Sequence, residues 1–105
     1  MNKMIKDGKV AVLYSPGYGA GWSSWNTETP APDMIFDMTI VSMVLRGNTE
    51  DEIKAVAKLK WPDAYLGGVE GLNIVWLDQG TEFRINEYDG NEDVEVKNDF
   101  NWIVA

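Results

Sequence analysis

Lys9-Val10-Ala11-Val12-Leu13-Tyr14-Ser15-Pro16 is the stretch on which the fold turns. Six residues rich in β-branched and aromatic side chains, apolar at consecutive positions, read as a strand buried on both faces, and Ser15-Pro16 ends it. The next long apolar stretch, Asp33 to Arg46, carries Met34, Ile35, Phe36, Met38, Ile40, Val41, Met43, Val44 and Leu45. With Asp37 as a cap and Gly47 as a stop, it predicts a short helix buried against a sheet. Its β-branched residues keep a strand as the alternative. Thr49 and Glu52 have capping-box spacing, and Ile53, Val56, Ala57 and Lys60 recur on one helical face, which predicts a second helix from about Glu50 to Lys60, ended by Pro62.

Three strand signals follow the Gly67, Gly68 and Gly71 connection. Asn73 to Leu77 is apolar on both faces, and Thr81 to Tyr88 places Phe83 and Ile85 on one face after a Gln79-Gly80 turn. Asp89-Gly90-Asn91 supplies a further turn into an acidic strand, Glu92 to Lys97, and Trp102-Ile103-Val104 reads as a last strand. The expected architecture is one α+β domain over residues 1–105, with two helices after the first strand and a mainly antiparallel sheet.

At 105 residues and 45% hydrophobic side chains, the chain suffices for one core and leaves no room for a second domain of any size. It holds no cysteine and no histidine. Disulfide scaffolds, thiolate nucleophiles and iron–sulfur ligation are therefore excluded, along with the usual zinc ligand and the usual near-neutral base. Nine basic against 17 acidic residues give a formal charge of -8, which opposes direct binding to nucleic acid or an anionic membrane and favours basic partners. No apolar run approaches the roughly 20 residues of a membrane span, and Met1 to Gly8 lacks the apolar core of a signal peptide. A cytoplasmic location is the expectation.

Tyr14 to Trp25 is the most unusual segment, with Gly17, Gly19 and Gly21 alternating among Tyr18, Trp22 and Trp25. Glycines permit close backbone approach and aromatics offer planar surfaces, so Gly17, Tyr18, Gly19, Gly21, Trp22 and Trp25 form a candidate ligand cradle. Exposed amides there suit a phosphate or carboxylate, and the rings suit a nucleobase or other flat face, which makes a nucleotide-like small molecule the candidate ligand. The bland alternative gives the glycines to a tight surface loop and lets Trp22 and Trp25 cap the core. No Walker continuation and no βαβ context accompanies the glycines. Ser15, Ser23 and Ser24 have no histidine to activate them, so no catalytic residue is assigned, and no cofactor or metal is expected.

The segment Glu82 to Asp99 holds seven acidic residues against Arg84 and Lys97, a local charge of -5 (2 minus 7). Glu87, Asp89, Glu92 and Asp93 are candidates for complementarity to a basic protein surface, and the bland alternative is a solvated meander that resists aggregation. Asp89, Asn91, Asp93 and Glu95 superficially follow the alternation of a calcium loop, but Val94 stands at the sixth position and Phe100 at the twelfth. Met34, Met38 and Met43 fit core packing better than an adaptable groove. Lys54, Lys58 and Lys60 read chiefly as solvent-facing helix charges.

Leu13 to Trp22, together with Trp61-Pro62-Asp63-Ala64-Tyr65-Leu66-Gly67-Gly68 and Glu87-Tyr88-Asp89-Gly90, resembles a family of small bacteriophage and mobile-element accessory proteins. The resemblance carries over no catalytic residue. It implies a noncatalytic, anti-defence type of role in which the chain binds a host protein. Sequestration of a nucleotide-like molecule is the alternative, and a structural homo-oligomer assembled through the aromatic loop is the third reading.

Overall fold

Two Asp-Gly dipeptides set the ends of two hairpins. The computed structural model describes residues 3–17, 21–26 and 31–97. At Asp7-Gly8 and at Asp89-Gly90 both residues adopt positive φ (54° and 76°, 49° and 82°), the backbone of the mirror-image two-residue turn whose twist matches paired strands. The first joins β1 (Ile5–Lys6) to β2 (Lys9–Tyr14), and the second joins β4 (Phe83–Tyr88) to β5 (Asn91–Val96). Asp7-Gly8 is the signal for β1, a strand absent from the sequence-based expectation.

β2 is the central strand of the sheet β1-β2-β3, in which β3 spans Asn73–Asp78 and both pairings are antiparallel. Lys9 lies opposite Asp78, and Tyr14 opposite Asn73. Val10 through Leu13 are all buried, as expected of a strand with apolar residues on both faces. β4 and β5 form a separate antiparallel pair. The expected single meander is thus divided into two sheets, because Gly80 (φ 88°) turns the chain away after β3 and Thr81 N–H closes that turn on the Asp78 carbonyl. The α+β class and the antiparallel pairing hold.

Among the described residues three α-helices occupy the connection between β2 and β3, where two were expected: α1 (Ala31–Phe36), α2 (Met38–Arg46) and α3 (Glu50–Lys60). The apolar run from Asp33 is divided at Asp37, whose ψ of 118° leaves the helical region while its carboxylate accepts from Ile40 N–H at 2.9 Å. Gly47 in the left-handed conformation ends α2, and its N–H is donated to the Met43 and Val44 carbonyls. Thr49 and Glu52 complete a reciprocal capping box at the start of α3. Lys60, in the last turn of α3, reaches Asp37 at 3.1 Å and ties the two helices together.

The main core lies between the helices and one face of the sheet. Ala11 and Leu13 of β2 and Ile74 and Trp76 of β3 meet Ile40, Val41, Met43, Ile53 and Ala57, with Trp22, Met34, Leu66 and Val69 completing the cluster. Among the described residues no helix is long and apolar enough to cross a membrane. The expected strand at Trp102 to Val104 lies outside the described residues.

Candidate functional site

The loop after β2 is organised around a carboxylate from the far end of the chain. Glu92, at the start of β5, is 1% exposed. Its Oε1 accepts from Ser15 N–H at 2.8 Å, and its Oε2 accepts from Trp22 N–H at 2.9 Å, from Ser24 N–H at 3.0 Å and from the Ser24 hydroxyl. Two backbone bonds flank the cage: Glu92 N–H to Ser15 O and Gly21 N–H to Gly90 O, both 2.8 Å. The two-residue turn sets Glu92 opposite Glu87, on the hairpin face that also carries Ile85, Val94, Phe83 and Val96. Glu87 on that face is exposed, and Glu92 is buried because Ser15 and the Trp22–Ser24 backbone lie over its carboxylate. A buried carboxylate is tolerable only when its lone pairs are filled, and four donors fill these.

This cage corrects the sequence reading of the loop at two places. The amides expected to receive a phosphate or carboxylate exist at Trp22 and Ser24, but the protein's own Glu92 occupies them. Glu92, expected on a protein-binding surface, is removed from solvent and fully engaged.

Trp22 is likewise not a stacking surface. It is 0% exposed, its indole N–H donates to the Met34 carbonyl at 2.6 Å, and its ring meets Trp61 edge to face at 5.9 Å. Gly21 is buried beside it. Gly68 packs against the same loop so closely that a Cβ there would collide with the Gly21 carbonyl and Trp22 Cα. Gly17 is half-buried. Tyr18 and Gly19 lie outside the described residues, which include Gly17, Gly21, Trp22 and Trp25 of the candidate cradle.

Of the loop aromatics expected to contact a partner, Trp25 is the one the described structure leaves at the surface. It is 40% exposed and stacks at 4.9 Å, tilted by 44°, on Tyr65, which is 43% exposed. The sequence reading missed Tyr65; its signal was an aromatic in a Pro-Asp and Gly-Gly connection, residue types that mark a loop. Asn26 joins the two loops. Its Nδ2 donates to Trp22 O and Tyr65 O, and its Oδ1 accepts from Tyr65 N–H, each at 2.8 Å. Behind the rings, glycines leave the space the aromatics need: a Cβ on Gly21 would strike the Trp25 ring, and one on Gly67 the Tyr65 ring. Both side chains therefore stand on a backbone braced from two directions.

The acidic candidates do not gather into one patch. Glu87 and Asp89 are exposed at the β4–β5 turn, with Glu87 Oε2 accepting from Gly90 N–H at 3.4 Å. Asp93 is exposed on the opposite face of the hairpin from Glu92, near Asn86 at 3.4 Å, and Arg84 pairs with Glu95 on that same face. Among the described residues no three acidic side chains converge to hold a metal ion. Met34 and Met43 are core residues while Met38 is exposed, so they form no groove. Lys60 is engaged by Asp37.

Perturbed ionisation falls on surface structure. Glu52 is held below the usual carboxylate range first by the Thr49 backbone N–H and then by the Thr49 side chain. Glu95 is held low by its hydrogen bond from Arg84, with a second from Asn86, and Arg84 is raised reciprocally. No protein-family model, curated protein or solved structure matches this chain.

Proposed function

We propose that the chain is a noncatalytic protein-binding module whose contact centre is the Trp25–Tyr65 pair. The observation that carries this reading is the combination of partial exposure with bracing. Two large rings stand half in solvent on a backbone that Asn26 bonds, at 2.8 Å, to both loops. Aromatics whose backbone is already ordered lose little freedom on binding, which is the condition under which such residues dominate an interface. The charge of -8 steers this surface toward a basic partner. An accessory or anti-defence role in a phage-infected host is the biological setting of the proposal.

The nucleotide-like alternative loses its main supports, since Trp22 is buried and the Trp22 and Ser24 amides are filled by Glu92. The test is a capture experiment from host extract with wild type and the Trp25→Ala/Tyr65→Ala double variant, each verified as folded by far-UV circular dichroism. A partner held by wild type is expected to bind the variant at least about 30-fold more weakly, the effect of losing a central aromatic contact. Equal capture by both refutes the assignment.

A further inference from the structure

Among the described residues one sheet edge lacks the protection the other edges carry. β1 is two residues long, and its hairpin carries the exposed Lys6 and Lys9. The β4 edge bears exposed Glu82 and Glu87, and β5 begins with its outward N–H already bonded to Ser15. Short edges and charged residues are the usual means of preventing edge-to-edge pairing. β3 has neither over its central four residues, Ile74-Val75-Trp76-Leu77, all partly exposed.

The register identifies which backbone groups that edge offers. Gln79 N–H donates to Gly8 O, so the alternation along β2–β3 turns the amides and carbonyls of Val75 and Leu77 toward β2 and those of Ile74, Trp76 and Asp78 outward. Two of the six outward groups are already used: Ile74 N–H donates to Asn73 Oδ1 at 2.8 Å, and Asp78 O accepts from Thr81 N–H at 3.0 Å. Ile74 C=O, Trp76 N–H, Trp76 C=O and Asp78 N–H have no partner among the described residues. That set is its own complement. Turned about a two-fold axis at Trp76, it makes four bonds, Trp76 reciprocally with the partner's Trp76 and each Asp78 N–H to the partner's Ile74 C=O. The two groups already used are those that this pairing leaves over.

We propose that the β3 edge joins two copies of this chain antiparallel about Trp76, extending the sheet to β1-β2-β3-β3-β2-β1. Isologous pairing of this kind is closed and leaves no further edge of the same type. The two Asp78 side chains stand four residues apart across the axis, about 13 Å, beyond the ~8 Å screening length at physiological salt. Charge at the seam therefore does not oppose it. The surface is distinct from the Trp25–Tyr65 pair, and the two proposals stand or fall separately.

Sedimentation equilibrium of the full chain is expected to show a species of twice the 11.8 kDa chain mass. In a mixed-label sample, Val75 Hα is expected to give an intermolecular contact to Leu77 Hα, the closely spaced pair next to the axis. Asp78→Pro removes an outward N–H without touching the β2 ladder, and should weaken self-association about 30-fold through two lost bonds. Val75→Lys, which sets a cation beside the partner's Leu77, is the second variant should the first fail to fold. A folded wild type that stays monomeric up to about 1 mM overturns the proposal. So does a dimer that persists unweakened in either folded variant, or one abolished by Trp25→Ala instead.

Discussion

Glu92→Gln keeps the volume and changes what the cage can satisfy. The amide oxygen can take the Oε2 position, where Trp22 N–H, Ser24 N–H and the Ser24 hydroxyl converge. The amide NH2 then confronts Ser15 N–H, which donates to Oε1 at 2.8 Å in the wild type. A buried donor left facing another donor costs about 1–3 kcal/mol. The three remaining bonds lose their charge assistance at roughly 0.5 kcal/mol each, and the smaller burial cost of a neutral group offsets part of the total. The net expectation is a loss of about 3 kcal/mol, or roughly 12–24 °C in Tm for a domain of this size. Urea unfolding followed in parallel by tryptophan fluorescence and far-UV circular dichroism measures it, with Glu87→Gln as the exposed control expected within about 0.5 kcal/mol of wild type. A Glu92→Gln change equally small would refute the reasoning, because it would mean that the carboxylate organises nothing the chain needs.

Other perturbations separate structure from surface. Gly68→Ala forces a Cβ into the Gly21 and Trp22 backbone and should cost about 1–3 kcal/mol in urea unfolding, whereas Gly71→Ala meets no atom within 4 Å and pays only for its φ of 75°. Trp22→Ala empties the core and should cost about 3–5 kcal/mol by the same measurement, while Trp25→Ala should cost clearly less because its ring is already partly in solvent. Asn26→Ala removes three hydrogen bonds, two of them between the two aromatic loops, and should speed amide hydrogen exchange at Tyr65, whose N–H it leaves without its 2.8 Å acceptor. The depressed pKa values of Glu52 and Glu95 make pH a further probe. Each contribution is present above the ordinary value of 4.5 and is lost as pH falls through the lower folded value. In an NMR titration Thr49→Ala should move Glu52 only part of the way toward 4.5, because the side-chain hydrogen bond is lost while the backbone N–H of position 49 remains, and should leave Glu95 depressed. Arg84→Gln should move Glu95 toward 4.5 and leave Glu52 depressed.

Local chemistry made much of the fold legible. The Thr49 and Glu52 spacing, the Asp37 cap, the Gly47 stop and the Asp89-Gly90 turn all act within a few residues, and each appears where the residues indicated. Asp7-Gly8 carried the same hairpin signal as Asp89-Gly90, so β1 was readable from the turn alone. The placement of Glu92 had a partial signal too, since a two-residue turn sets it in alternation with Val94 and Val96 on the more apolar face of β5. That alternation identifies an acid on that face and does not identify what receives it.

Composition, caps and turns thus determined an acidic α+β chain with no histidine or cysteine chemistry, because those properties reside in single residues or in neighbours along the chain. Tertiary structure decided the rest. Ser15, Trp22 and Ser24 meet a carboxylate 68 to 77 positions away, Trp25 meets Tyr65 beside Asn26, and among the described strands β3 lies at the edge of its sheet. These are contacts between segments whose separation in sequence carries no information about their separation in space. The same pattern of glycines, tryptophans and acids fits an open anion cradle or a closed internal clamp, and long-range packing selects the clamp by supplying Glu92 as the anion.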